Sequence, residues 1–234
     1  MNAPFKTPRG VVLHDALIQG SEEWLQARCG LLTASEMKLI LTPTLKIASN
    51  DKERSHLFEL LAQRITGYVE PRYISDDMLR GHDDEIEARN LYAKTYAPVQ
   101  EVGFITNDKF GFTIGYSPDG LVGDDGGIEA KSRRQKFQIE MITADEIPSE
   151  HMLQLQTGLL VSERQWIDFI SYSGGLPMWT KRVEPIAEIQ DAIIDAAAKF
   201  EARLCEKMAA YHDMLASDAR LIPTERKIEQ EMFV

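Results

Sequence analysis

The sequence predicts an α/β (α+β) fold, with a central mixed sheet flanked by helices, and three observations carry that expectation. Helical periodicity runs through residues 51–67 and 185–212, toward the two ends of the chain. Between them, residues 99–106, 110–117 and 126–132 are short β-rich runs broken by Asn-Asp and Gly-Asp-Asp-Gly-Gly turns. Strand-like runs return at 165–172 and 178–183, around Gly174-Gly175.

The elements follow in chain order. Residues 21–29 and 33–41 read as two short helices around a turn at Gly30. Residues 51–67 form a longer helix with apolar positions at Leu57, Leu60, Leu61 and Ile65. Ser75-Asp76-Asp77 can cap a helix running to about Ala93. After the β-rich runs, residues 134–142 and 149–161 are helical, and 185–212 is a long, Ala-rich amphipathic helix. The whole chain, 1–234, is expected to be one domain, with its last twenty or so residues extended or at a subunit interface.

No segment approaches the roughly 20 uncharged apolar residues that span a membrane, and the opening residues, with no long apolar run before a small-residue cleavage site, are not expected to act as a secretory signal. The two cysteines, Cys29 and Cys205, have no zinc-ligand spacing, which fits a reducing cytoplasm. A net charge of −11 argues, taken alone, against a nucleic-acid partner. It does not exclude a local basic patch, and Lys131-Ser132-Arg133-Arg134-Gln135-Lys136 carries four positive charges in six residues.

The chemistry concentrates in Ser117-Pro118-Asp119-Gly120, the turn Gly123-Asp124-Asp125-Gly126-Gly127, and Ile128-Glu129-Ala130-Lys131. A hairpin centred near Asp124 sets Asp119 opposite Glu129. Strand alternation then puts Glu129 and Lys131 on one face, and Ile128 and Ala130 on the opposite, packed face. Two carboxylates and an ammonium so gathered suit phosphodiester hydrolysis. Hard oxygens select Mg²⁺, with Mn²⁺ as a substitute. A pair of such ions would activate a water and stabilise both the attacking and the leaving oxygen, while the lysine holds the water. The same pattern also describes a solvated hairpin with its charges on the wet face. An isolated calcium loop fits less well, because the EF-hand spacing is absent.

Ser-Pro-Asp-Gly followed by Glu-Ala-Lys resembles the signature of the PD-(D/E)xK nucleases in its phage lambda exonuclease, or YqaJ-type viral recombinase, form. The resemblance extends over much of residues 19–160. It includes Gly20-Ser21-Glu22-Glu23-Trp24 with Arg28, Thr33-Ala34-Ser35-Glu36, the Gly81-to-Glu85 spacing, and Gln154-Leu155-Gln156. It implies a restriction-endonuclease-like core that digests one strand of duplex DNA from the 5′ end. It also implies a homotrimeric ring around the product strand, a single-strand annealing protein as partner, and a bacterial cytoplasm as the setting. The expected metal ligands are Asp119, Glu129, the Ala130 backbone carbonyl and Glu85, with Gln156 pointing from its helix toward the same centre.

The remaining blocks have their own physical reading. Thr33 to Glu36 fits a capping box, and a helix N-terminus is an anion site. Arg28 can grip a phosphate bidentately, so Arg28, Thr33, Ser35 and Ser117 form an expected pocket for a terminal 5′-phosphate; the competing role for Arg28 is an ion pair with Glu22 or Glu23. Trp24 and Leu25 are expected in the core. Met78 and Leu79 are either helix-start packing or an apolar tip that parts the strands. Lys46 is a candidate for touching the duplex backbone, and His82 and His151 are expected to be peripheral. Two other assignments compete with the exonuclease: a structure-specific or restriction-like endonuclease on the same core, and a non-catalytic DNA-binding recombination mediator.

Overall fold

The computed structural model describes residues 10–71, 76–217 and 219–226, with 76–78 by backbone alone. Its elements are β1 (Val11–His14), α1 (Glu22–Arg28), β2 (Leu32–Thr33), a 3₁₀ turn (Ala34–Glu36), α2 (Met37–Ile40), α3 (Asp51–Thr66) and α4 (Asp76–Thr95). There follow β3 (Phe104–Asn107), β4 (Ile114–Tyr116), β5 (Gly120–Val122), β6 (Gly126–Ser132), α5 (Gln135–Ala144), α6 (Ser149–Ser162), β7 (Trp166–Tyr172), β8 (Trp179–Val183) and α7 (Ala187–Leu215). Among the described residues, no helix is long and apolar enough to cross a membrane.

The helix ends follow local chemistry. Ser21 caps α1 by accepting from the Trp24 amide at 3.2 Å. Asn50 caps α3 by accepting from the Lys52 and Glu53 amides, both at 3.0 Å, and Gly67 ends it in the left-handed region at φ 63°. Ser75, the expected cap of α4, lies outside the described residues, as does the side chain of Met78.

The mixed architecture matches the expectation, with the strands divided into two four-stranded sheets, ordered β1-β3-β4-β2 and β5-β6-β7-β8. The division falls at Ser117-Pro118-Asp119. Proline has no N–H to continue a ladder, so β4 stops at Tyr116 and the chain re-enters as β5 in the other sheet. Residues 33–41 are a correction. Thr33 is taken into β2, whose parallel pairing sets Leu32 opposite Ile114 and Thr33 opposite Gly115, and only Met37–Ile40 is α-helical. Strand β1 was not anticipated at all: it pairs antiparallel with β3, some ninety residues away, with Val11 opposite Asn107.

Helix α6 is the buried centre of the molecule. It lies against β3 and β4 of the first sheet and β7 of the second, with α7 and α2 also packed on it. From Leu155 to Ser162 every residue of α6 is buried. Helix α4 covers the other face of the second sheet, where Ala88 and Tyr92 meet Val122, Ile128, Ala130 and Ile170. Strand β6 is therefore sandwiched, with Ile128 and Ala130 toward α4 as alternation requires.

Candidate active site

The hairpin register is centred on Asp124: Gly120 faces Ile128, Leu121 faces Gly127 and Val122 faces Gly126. Extending it by one step sets Asp119 opposite Glu129. Because β5 begins only at Gly120, the edge of β6 beyond it is left to a side chain. The Ala130 amide donates to Asp119 Oδ2 at 2.6 Å. A strand residue directs its N–H and C=O to the same side, so the Ala130 carbonyl also faces the Asp119 edge.

Glu129 is held on three sides. Its Oε1 accepts from Lys131 Nζ at 2.7 Å and from Gln154 Nε2, and its Oε2 accepts from the Tyr116 hydroxyl at 3.2 Å. Asp119 and Glu129 are only 7% and 2% exposed. Glu85 reaches the same centre from α4, and Arg89, one turn further on, donates to the Asp119 carbonyl at 3.1 Å. An open cavity of about 330 Å³, lined by Gln19, His82, Glu85, Arg89 and Asp119 among others, leads to this point.

Burial, then the charges of Glu129 and Glu85, holds the Asp119 carboxyl well above the usual carboxylate range. Burial and Glu129 push Glu85 up as well. The Tyr116 hydroxyl is raised by burial and by the two neighbouring carboxylates. For Lys131, burial pulls downward, but Glu129, Asp119 and Glu85 outweigh it and hold the ammonium above its ordinary value. The three carboxylates therefore hold Lys131 as a cation.

Such crowding of buried carboxylates is relieved by a cation, and the donors are all hard oxygens. Among the described residues, no three His, Cys, Asp or Glu side chains gather closely enough to hold an ion unaided. Asp119 and Glu129, with the Ala130 carbonyl and water, would make up the donor set, with Glu85 beside Asp119. The residues fit a divalent ion that retains part of its water shell.

One face of α6 serves this site. His151, Gln154 and Gly158 lie at i, i+3 and i+7. Gln154 donates to Glu129, and Gly158 makes room for Tyr116, whose ring atoms lie 2.8–3.0 Å from where a Cβ would stand. Gln156 is a correction. It is 0% exposed, donates to the Glu184 carbonyl at 2.8 Å and accepts from the Ile186 amide at 2.8 Å, tying α6 to the start of α7. Two residues along a helix is a rotation of about 200°, so Gln154 and Gln156 cannot both face the site.

A second group assembles beside Ser117. Arg28 donates to Ser117 Oγ at 3.0 Å and to Thr33 Oγ1 at 3.3 Å, and Thr33 Oγ1 is 3.3 Å from Ser35 Oγ. The guanidinium sits 4.3 Å from the Trp24 ring centroid, while the indole N–H donates to the Gly103 carbonyl and to Ser117. Trp24 is thus half-buried as a platform for Arg28, and Leu25 is exposed rather than in the core. Arg28 and Ser35 open onto a cleft of about 470 Å³ that also contains Lys38, Lys52 and Ser55. The expected capping box does not form: the Thr33 hydroxyl donates to the Glu36 carboxylate at 2.8 Å and caps no amide. The helical piece is also too short for a useful dipole, so side chains, not a helix end, make this pocket.

Residues 23–165 match the YqaJ-like viral recombinase domain. The fold is similar to the crystal structure of an alkaline exonuclease, LHK-Exo, from Laribacter hongkongensis. That likeness has a TM-score of 0.69 and 33% identity, and covers 83% of this chain and 100% of that one. The complex of LHK-Exo with dAMP is similar at a TM-score of 0.70, with the same identity and coverage. A phage-related exonuclease from Haemophilus somnus 129PT shares the fold at 16% identity and a TM-score of 0.52, covering 76% of this chain and 96% of that one. No curated protein matches the sequence.

Proposed function

The chain belongs to the YqaJ-like viral recombinase family, and we propose that within it this protein is a 5′→3′ exonuclease. It would degrade one strand of duplex DNA from 5′-phosphorylated ends and leave a 3′ strand for recombination by annealing. Metal dependence is general among these exonucleases, and the ion proposed here is Mg²⁺. The dAMP bound by the alkaline relative is a deoxynucleotide, which supports DNA as the substrate class. The chain is read as a single nuclease domain that assembles as a trimer and works beside a single-strand annealing protein.

One observation carries the end dependence. Ser117, bonded to Arg28, and Asp119, at the acidic centre, are separated by Pro118 alone, so their backbones lie within about 7 Å. A terminal phosphate held by Arg28, Ser35 and Ser117 therefore sets the next phosphodiester beside Asp119 and Glu129. When bound, the ion supplies an activated water and stabilises the charge that develops on the phosphate oxygens. Gln154 and Tyr116 keep the Glu129 carboxylate oriented. Lys131 offers a permanent positive charge to the attacking oxygen.

A 5′-phosphate carries about −2 charge near neutral pH, against −1 for an internal phosphodiester, so the Arg28 group should favour true ends. Loss of one charge-assisted hydrogen bond costs roughly ten-fold or more. Duplexes with 5′-phosphate should accordingly be degraded at least about ten-fold faster than those with 5′-hydroxyl. Arg28→Ala should erase most of that ratio. Equal rates on both ends in the wild type, or an unchanged ratio in Arg28→Ala, would remove the pocket from the mechanism and favour an endonuclease.

A further inference from the structure

Strand β6 carries a third side chain on its Glu129–Lys131 face. The Arg133 amide donates to the Tyr172 carbonyl at 2.7 Å, so pairing with β7 continues past Ser132 and Arg133 keeps the alternation. Its guanidinium reaches His151 Nε2, and His151 stands one turn before Gln154 on α6. Glu129 with Gln154, and Arg133 with His151, are thus successive rungs between β6 and α6. The Arg133 Nε is buried with no hydrogen-bond partner. Glu150, the acidic group facing it, is 65% exposed and stands 3.8 Å from Nη1.

His151 is suited to hold this arginine. Its ring packs 5.2 Å from that of Phe169. Burial, then Arg133, Lys131 and Lys38, pushes its pKa down to about 3, so it is a neutral acceptor. Lys38 lines the cleft that holds Arg28 and Ser35. Three cations, Lys131, Arg133 and Lys38, thus surround His151, and Lys38 also belongs to the cleft beside Arg28. The Cα of Arg133 lies about 6–7 Å along the strand from that of Lys131, comparable with the spacing of neighbouring phosphates in one DNA strand.

We propose that Arg133, held by His151, binds the backbone phosphate next to the scissile one on the strand being degraded. His151 is a positioning residue that acts through Arg133. The proposal rests on the nuclease reading above and adds a contact that the metal chemistry does not require.

The test measures binding of a 5′-phosphorylated duplex in EDTA across a salt series, with cleavage in Mg²⁺ measured alongside. Arg133→Ala should bind about ten-fold more weakly and lower the salt slope by about one, whereas Arg133→Lys should keep most of that slope. His151→Ala should raise KM several-fold with kcat little changed, and His151→Gln, which keeps a neutral acceptor, should restore it. The double variant should be no weaker than Arg133→Ala alone. Duplexes carrying a neutral methylphosphonate on one or the other side of the scissile phosphate sharpen the assignment. One of them should weaken wild type as much as Arg133→Ala does, with no further loss in that variant. An unchanged salt slope in Arg133→Ala, with wild type cleaving normally, would overturn the contact. Thermal midpoints and kcat that fall together in His151→Ala would overturn the positioning role. Failure of the nuclease reading is separate: wild type itself would not cleave the duplex in Mg²⁺.

Discussion

Asp119→Asn is expected to abolish cleavage and, without metal, to raise the thermal midpoint of the protein. Asn keeps an oxygen for the Ala130 amide but removes an anionic donor, and the several kcal/mol that metal-assisted chemistry supplies translate to at least ~10³-fold in rate. The stability effect has the opposite sign. Burial, Glu129 and Glu85 raise the Asp119 pKa in the fold above its unfolded value. The stability this group contributes is complete below the unfolded pKa of about 3.9 and is lost as pH rises through the folded one. Above the unfolded pKa the Asp119 carboxyl is therefore a burden that Asn removes. Each kcal/mol recovered raises the midpoint by about 2–4 °C in a domain of this size. By the same linkage an ion must displace protons, so metal affinity and cleavage should rise from acid toward alkaline pH. A midpoint in EDTA at pH 8 that falls in Asp119→Asn would contradict this account of the cluster.

Lys131→Met should slow the chemical step by about 10²-fold or more while leaving metal binding in place. The ammonium is 2.7 Å from Glu129 Oε1, and Glu129, Asp119 and Glu85 hold it above its ordinary pKa, so it is expected to act by position and charge. Single-turnover rates at saturating Mg²⁺ would show the loss, and the midpoint shift on adding Mg²⁺ would persist. A rate within three-fold of wild type would take Lys131 out of the chemistry.

The part of the site that could be read from sequence was local. The turn around Asp124 sets the pairing of β5 with β6, and alternation follows, so Asp119, Glu129, Lys131 and the packed Ile128 and Ala130 were all reachable from spacing. Arg28, Thr33, Ser35 and Ser117 were grouped on an expected helix N-terminus at Thr33 and the reach of Arg28, and hydrogen bonds do join them. Their physical basis was misread, because pairing with β4 takes Thr33 into a strand and leaves only a single 3₁₀ turn, Ala34–Glu36, whose start Thr33 does not cap.

What sequence could not supply was long-range or lacked periodicity. The last eight residues of α6 are buried on every side, so hydrophobic spacing names no face, and it gave no reason to prefer Gln154 to Gln156. The glycine that admits Tyr116 was a usable clue: Gly158, Gln154 and His151 share one helical face. Arg133 and His151 are eighteen residues apart on different elements, and His151 was expected at the periphery. Of the four cations in residues 131–136, Lys131 meets Glu129 and Arg133 meets His151, while Lys136 sits 4.6 Å from the Phe137 ring.

The central claim is that the Asp119–Glu129 centre cuts DNA only from an end. It is tested most directly by incubating 5′-end-labelled linear duplex and covalently closed circular DNA together in Mg²⁺ with wild type and with Glu129→Ala. Wild type should shorten the linear duplex progressively from its 5′ ends and leave the circle closed, and Glu129→Ala should degrade neither. Nicking of the closed circle at a rate comparable with linear digestion, or near-normal digestion by Glu129→Ala, would contradict it.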